Sequence, residues 1–86
     1  MINFTESGWK DYTFWAESDK KKFSRINELI KDCLRTPFTG IGKPEPLKAN
    51  YAGFWSRRID DTHRLVYRFE SGVLYIIGCR FHYKNN

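Results

Sequence analysis

The fold is decided by residues 54–81, which read FWSRRIDDTHRLVYRFESGVLYIIGCRF. Three runs rich in aromatic and β-branched residues, a composition typical of strands, lie at Phe54–Ile59, Arg64–Phe69 and Val73–Phe81. The stretches between them, DDTH and ESG, consist of residues that favour turns. Because short turns join antiparallel neighbours, this stretch predicts an antiparallel meander of three strands.

Upstream of the meander, apolar residues recur at the spacing that is typical of helices. A short strand is predicted at the N-terminus, and Thr5 or Ser7 can cap the helix that follows. Aromatic residues then recur at spacings of three and four, which predicts an amphipathic helix near residues 6–17. A second helical stripe begins after the cap signal at Ser18-Asp19. It stops at Pro37, because the residue before a proline disfavours the helical conformation.

Residues 36–53 are predicted to form a long loop, since they include three prolines and three glycines. Long loops in small domains often carry function. The predicted fold class is α+β: a short N-terminal strand, two helices, then antiparallel strands forming a small sheet. The 86 residues of the chain suffice for one domain, over residues 1–86.

The composition argues against several classes of protein. With 41% hydrophobic and 29% charged residues, the chain is too apolar for a disordered protein. It has no apolar run long enough for a membrane span, and its start does not have the pattern of a signal peptide. Two cysteines, Cys33 and Cys79, suit a reducing compartment, so we expect a cytoplasmic protein without a disulfide scaffold. Motifs for nicotinamide or P-loop enzymes are missing, and no cofactor is predicted.

The charge of the chain points to a polyanionic partner. Fifteen Lys and Arg against ten Asp and Glu give a net charge of +5. Residues 44–86 hold five Arg and two Lys, and the guanidinium fork suits phosphate better than an ammonium does. RNA, DNA or an acidic protein would fit, and a membrane surface fits less well. The alternative is a protein with a modest basic bias and no such partner.

Strand alternation assigns side chains to the two faces of the predicted sheet. We expect odd-numbered residues from 65 to 83 in the core and even-numbered residues on an exposed face. The expected exposed basic residues are Arg58, Arg64, Arg68, Arg80 and His82. A three-residue loop, Ser71–Val73, would pair Arg64 with Arg80, whereas a two-residue loop, Ser71-Gly72, would pair it with Cys79. The alternation favours the three-residue loop. A face rich in Arg can be either a nucleic-acid platform or an ordinary solvated surface.

An imidazole and a carboxylate could transfer protons at this face. His82 can exchange a proton near neutral pH. Glu45 lies between two prolines that hold the backbone extended, and neighbouring lysines would keep it ionised. With several Arg, these groups suffice to cleave RNA without a metal: a base deprotonates the ribose 2′-OH, Arg neutralises the transition state, and an acid protonates the 5′-oxygen. Each group could also be an ordinary surface residue.

Other candidate sites are weaker. Cys79 and His82 have the spacing of half a metal motif, but there is no second pair, so no metal site is predicted. His63 lies in a turn beside acidic residues, which favours a solvated or capping role. No serine has the context of a catalytic nucleophile.

Several motifs together resemble the YoeB toxins of the RelE superfamily. They are INELIKD at 26–32, RTPF-x-G-x-GKPEPLK at 35–48, GFWSRRI at 53–59, HRLVY at 63–67 and CR-x-HY at 79–83. The resemblance covers nearly the whole chain. It implies a RelE-like microbial ribonuclease fold and the toxin of a type II toxin–antitoxin module, acting as a ribosome-dependent mRNA endonuclease.

The resemblance also implies roles for individual residues. Glu45 of the KPEPL motif would be the general base, Arg64 of HRLVY would stabilise the phosphate, and His82 would be the general acid. The expected RNA-binding and positioning residues are Lys48, Arg58, Arg80 and Tyr83. The tail Lys84-Asn85-Asn86 continues past the His-Tyr pair, where such chains often end.

The partners implied are mRNA on the ribosome, ribosomal RNA and a YefM-like antitoxin, with a possible homodimer and no membrane. The antitoxin is expected to be acidic, to fold on binding and to cover the Arg face. The alternative function is a non-catalytic RNA- or ribosome-binding module on the same scaffold.

Overall fold

The computed structural model describes residues 1–81, in which two helices pack on one face of a five-stranded sheet. In chain order the elements are β1 (Ile2–Phe4), α1 (Glu6–Ser18), α2 (Lys20–Arg35), β2 (Glu45–Pro46), a 3-10 helix (Ala49–Tyr51), β3 (Trp55–Arg58), β4 (Arg64–Glu70) and β5 (Val73–Gly78). The strand order is β1-β5-β4-β3-β2, with β1 parallel to β5 and the other neighbours antiparallel. The predicted α+β architecture is confirmed.

Both helices begin at side-chain caps. The hydroxyl of Thr5 accepts a hydrogen bond from the backbone N–H of Gly8 at 3.1 Å. The carboxylate of Asp19 accepts from Lys21 and Lys22, and this residue separates α1 from α2. Gly8 also lets α1 approach the sheet, because a Cβ there would lie 2.2 Å from the carbonyl oxygen of Ile76. Among residues 1–81, neither helix is long and apolar enough to cross a membrane.

The core lies between the helices and the sheet. Its buried members from the helices are Trp15, Ile26, Leu29, Ile30 and Cys33. Those from β4, β5 and the flanking segments are Ile59, Leu65, Tyr67, Leu74, Ile76 and Cys79. Leu65 and Tyr67 lie in the core as expected, but the even-numbered Val66, which was expected on the exposed face, is also fully buried. In β5 the expectation was wrong, because the even-numbered Leu74 and Ile76 are fully buried.

The length of the β4–β5 turn explains the error in β5, and a β-bulge confines the error to the residues before Gly78. The β4–β5 connection is the two-residue loop Ser71-Gly72, in which both residues have positive φ (52° and 78°), as a primed hairpin turn requires. The favoured three-residue loop was therefore wrong. Tyr67 pairs with Ile76 but Val66 pairs with Gly78, so one residue of β5 is inserted between these pairs. The bulge reverses the alternation, so that Cys79 returns to the core as expected.

The long loop contains an edge strand that the sequence did not predict. β2 pairs with β3 through Glu45 and Ser56, and through Pro46 and Trp55. Proline is tolerated there because an edge strand leaves one row of N–H positions without a ladder partner. The loop thus contributes a strand to the sheet and carries Glu45 with it.

Candidate active site

Glu45 is held at the edge of the sheet by backbone pairing on both sides. It lies opposite Ser56 in β3, and the N–H of Leu47 donates to the carbonyl of Phe54 at 2.9 Å. Upstream, the N–H of Arg58 donates to the carbonyl of Gly42 at 2.7 Å. These bonds fix the backbone direction at Glu45, which is exposed.

The strand register brings Glu45 to the same face as Arg58 and Arg64. Ser56 pairs with Glu45 on one side and with Val66 on the other, and Arg58 pairs with Arg64. Directly paired residues, and residues two apart in one strand, point to the same face. Two strand spacings and a two-residue step separate the Cα atoms of Glu45 and Arg64 by about 12 Å. Their side chains can approach one ribose–phosphate unit from its two ends.

Arg64 is oriented by the turn that precedes it. Its Nη1 donates to the carbonyl of Asp60 at 2.6 Å and to that of His63 at 3.1 Å. The side chain is half-buried, so part of the guanidinium remains accessible. Because the turn fixes Nη1, the guanidinium is pre-organised for an anion on this face.

Two other predicted arginines have different neighbours. The guanidinium of Arg80 lies over the ring of Phe14, 3.7 Å from its centroid, and so contacts α1 in the helix layer. The expectation that Arg80 joins Arg58 and Arg64 on one open face is therefore wrong, since Arg80 lies beyond the end of β5 at Gly78 and its guanidinium contacts α1 instead. Arg68 is exposed as expected, but it forms an ion pair with Glu70.

The remaining predicted site residues fall into two groups. Lys48 is exposed and immediately precedes the 3-10 helix, three residues after Glu45. His82 and Tyr83 lie outside the described residues. The roles assigned to Glu45, Arg64 and His82 also predict that the three line one concave surface, and this stays a prediction.

Arg57 is a buried cation that the sequence reasoning missed. It has no exposed surface, and its Nη1 and Nη2 donate to the Asp32 carboxylate and to carbonyls of the 36–41 segment. Its Nε donates to the hydroxyl of Tyr67 at 3.1 Å. A signal was present: in the Arg57-Arg58 pair alternation must send one guanidinium towards the core, where it needs an acid.

His63 also has a role that the sequence did not reveal. Its N–H donates to Oδ1 of Asp60 at 2.6 Å, which agrees with the predicted turn. The imidazole, however, is half-buried and packs edge-on against Trp15 at 4.8 Å between centroids. Its Nδ1 accepts the backbone N–H of Phe81 at 2.7 Å. The expectation of a solvated ring was wrong, because the folded core brings Trp15 to this turn.

Metal-ligating side chains do not gather in residues 1–81: no three His, Cys, Asp or Glu side chains there lie close enough to hold an ion. On the face of Glu45, Arg58 and Arg64, the groups that can act on RNA are one carboxylate and two guanidinium groups. These groups can accept a proton and neutralise a phosphate.

Comparison with known proteins gives consistent matches over nearly the whole chain. The model of a family described as YoeB-like toxin of bacterial type II toxin–antitoxin system matches residues 4–83. Toxin YoeB of Streptomyces coelicolor is 60% identical over 82 residues, which are 95% of this chain and 98% of that protein.

Solved structures agree with the sequence matches. A YoeB/ParE toxin from Agrobacterium tumefaciens superposes with a TM-score of 0.91 and 54% identity, covering 95% of this chain and 98% of that one. A YoeB–YefM complex from Staphylococcus aureus gives 0.90 and 42%, covering 96% and 97%. A YoeB dimer from the same organism gives 0.89 and 43%, covering 95% of each chain.

Proposed function

The chain belongs to the YoeB family of toxins from bacterial type II toxin–antitoxin systems, and on this basis we propose that it is a ribosome-dependent mRNA endonuclease that inhibits translation. Cleavage would be metal-independent and would proceed through attack of the ribose 2′-OH on the adjacent phosphorus. Family membership supports the class of protein. The chemistry is supported by the residues on the open face of the sheet.

The observation that carries the proposal is the shared face of Glu45 and Arg64. The β2–β3–β4 register puts a carboxylate at the sheet edge on the same face as Arg58, one strand inward, and Arg64, two strands inward. A base and a phosphate-binding cation on one rigid surface are what 2′-OH attack requires.

In the proposed mechanism Glu45 takes the proton of the 2′-OH. The 2′-oxygen then forms a bond to phosphorus while the bond from phosphorus to the 5′-oxygen breaks, which leaves a 2′,3′-cyclic phosphate. Arg64 neutralises the charge that grows on the phosphate oxygens, and Arg58 supports it. His82 donates the proton that the 5′-oxygen leaving group requires. Lys48 and Tyr83 are assigned to binding and positioning of the RNA.

The proposed partners follow from the same surface. The mRNA on the ribosome would be the substrate. The phosphates of ribosomal RNA would be attracted by the net charge of +5. A YefM-like antitoxin would neutralise the toxin by covering the face of Arg58 and Arg64. The related S. aureus proteins form a YoeB–YefM complex and a YoeB dimer, which supports an antitoxin and a homodimer for this chain. The site of action would be the cytoplasm, where ribosomes translate.

Mapping of mRNA 5′ ends separates a nuclease from a protein that binds the ribosome and blocks it. Purified protein is added to a translation reaction, and new 5′ ends are located by primer extension. We expect cuts within the translated codon for the wild type and none for Glu45→Gln. Arrest of translation by the wild type without new 5′ ends would contradict the nuclease and would indicate the non-catalytic binding module.

A further inference from the structure

Phe81, the last residue that the structure describes, is clamped through both of its backbone polar groups. Its N–H donates to Nδ1 of His63 at 2.7 Å. Its carbonyl accepts from the N–H of Arg64 at 3.2 Å. Phe81 has a φ of 68°, a conformation that a bulky residue adopts when its surroundings impose it. The two bonds from consecutive residues supply that constraint.

The imidazole that accepts this bond is itself fixed. The backbone N–H of His63 donates to Asp60, which in turn forms an ion pair with Lys22 of α2 at 2.7 Å. The ring packs edge-on against Trp15, whose Nε1 donates to the carbonyl of Cys79 at 2.7 Å. The N–H of Cys79 also donates to Oδ2 of Asp11 at 3.0 Å, so four hydrogen bonds hold the chain from Cys79 to Phe81.

The backbone N–H that donates to Nδ1 determines which ring nitrogen of a neutral His63 carries the proton. A backbone N–H is always a donor, so Nδ1 must present its lone pair, and a neutral His63 carries its proton on Nε2. Nδ1 cannot donate a proton to substrate while it accepts this bond. His63 is thus suited to hold the backbone rather than to transfer a proton.

We propose that His63 is a positioning residue that acts through His82. It fixes the N–H and, with Arg64, the carbonyl of Phe81, the residue that precedes His82 in the sequence. This inference rests on the proposed function, in which His82 protonates the 5′-oxygen leaving group. An error of about 1 Å in the position of a catalytic group can cost about 10²-fold in rate.

Two substitutions separate the hydrogen bond from ring packing. His63→Asn keeps an acceptor, because the amide oxygen is attached to the same carbon position as Nδ1. His63→Phe keeps a ring against Trp15 but has no acceptor. If His63→Phe does not fold by circular dichroism, His63→Leu removes the acceptor with a smaller side chain. If His63 acted only by packing against Trp15, His63→Phe would cleave faster than His63→Asn. The proposed role predicts the reverse order.

The decisive substrate is an mRNA with sulfur in place of the bridging 5′-oxygen at the scissile phosphate. A thiolate leaves without a proton, since a thiol is far more acidic than an alcohol, so general acid catalysis is no longer needed. Single-turnover cleavage on programmed ribosomes is measured for both substrates at saturating protein. Ribosome binding is measured separately, and we expect it to stay within about 3-fold of wild type for every variant.

We expect His82→Ala and His63→Phe to be slow on the oxygen substrate, the latter by about 10²-fold, and to recover on the sulfur substrate. His63→Asn should stay near the wild-type rate on both, and Glu45→Ala should be slow on both. The N–H···N bond also predicts a scalar coupling between the Phe81 amide nitrogen and Nδ1 in the uniformly ¹⁵N-labelled wild type.

Different failures have different meanings. If His82→Ala recovers on sulfur but His63→Phe is fast on oxygen, or equally slow on both substrates, the role of His63 is wrong and the proposed function stands. If His82→Ala is fast on oxygen or does not recover on sulfur, His82 is not the general acid and both statements fail. A missing coupling to Nδ1 would also overturn the role of His63.

Discussion

Oδ2 of Asp32 accepts hydrogen bonds from Nη1 of Arg57 at 2.6 Å and from the backbone N–H of Ile41 at 2.9 Å. One carboxylate oxygen thus joins α2, β3 and the segment that leads to Glu45. The bond from Ile41, and then the bond from Arg57, lower the pKa of Asp32. Because all five N–H donors of Arg57 are used, this buried cation is fully satisfied.

Arg57→Met is expected to lower the free energy of unfolding by about 3–5 kcal/mol. The substitution removes the buried donor of the Asp32 carboxylate and of three backbone carbonyls, those of Thr36, Thr39 and Ile41. Urea denaturation measures the change. Arg58→Met is the matched control, since the neighbouring side chain is exposed, and it should change stability by no more than about 0.5 kcal/mol. Equal losses for the two variants would contradict the structural role of Arg57.

Gly40→Ala should destabilise the protein more than Gly72→Ala. Both glycines have positive φ, of 120° and 78°, so each substitution imposes backbone strain. At Gly40 a Cβ would also lie 2.0 Å from Oδ2 of Asp32, whereas at Gly72 it would meet open space. The alanine at position 72 should cost about 1–2 kcal/mol. The loss at position 40 should be larger, because the clash adds to the greater backbone strain of a φ of 120°. A smaller loss at position 40 would show that the carboxylate moves freely.

Asp60 should make the stability fall in acid. Partial burial alone would raise its pKa, but hydrogen bonds from Lys22, His63 and Thr62 lower it from 3.8 to about 2. A lowered pKa contributes stability above the ordinary value, and the contribution is lost as the pH falls through the folded value. Urea denaturation between about pH 4 and pH 2 should therefore give a shallower decline for Asp60→Asn than for wild type.

Lys22→Met tests the cause of that shift. It removes the cation that lies 2.7 Å from the Asp60 carboxylate, so the acid-induced decline should become shallower here too. An unchanged decline in both variants would mean that other carboxylates control acid unfolding.

Both cysteines should be unreactive in the folded protein. Cys33 and Cys79 are buried, and burial raises the pKa of these thiols to about 11 and about 12. A chromogenic thiol reagent at neutral pH should label neither residue in buffer and both in denaturing urea. Rapid labelling of the native protein would show that the core opens at one of these sites.

Much of the fold could be predicted from local patterns. Thr5 and Asp19 are capping side chains whose effect is confined to one turn, so the sequence locates both helix starts. The meander follows from strand composition and turn residues. The faces of β5 could not be predicted, because they depend on the length of the β4–β5 turn and on a single inserted residue between the Tyr67 and Val66 pairs, which reverses every later position.

Some residues of the candidate site could likewise be predicted from the sequence, and others could not. Glu45 and Arg64 were identified from their motifs, and the register places both on one face. Arg57 and His63 were missed because their partners, Asp32 and Phe81, are 25 and 18 residues away in sequence. Contacts over such separations depend on how helix and sheet pack, and one sequence does not display them.

The most direct test of the central claim is single-turnover cleavage of mRNA on programmed ribosomes at saturating protein. The wild type is compared with Glu45→Ala and His82→Ala, and ribosome binding is measured in parallel. We predict that each variant binds ribosomes nearly as well as the wild type but cleaves about 10²–10⁴-fold more slowly, since each has lost one general catalyst. Cleavage by both variants at the wild-type rate would show that these residues are not the acid and the base, and would contradict the proposed mechanism.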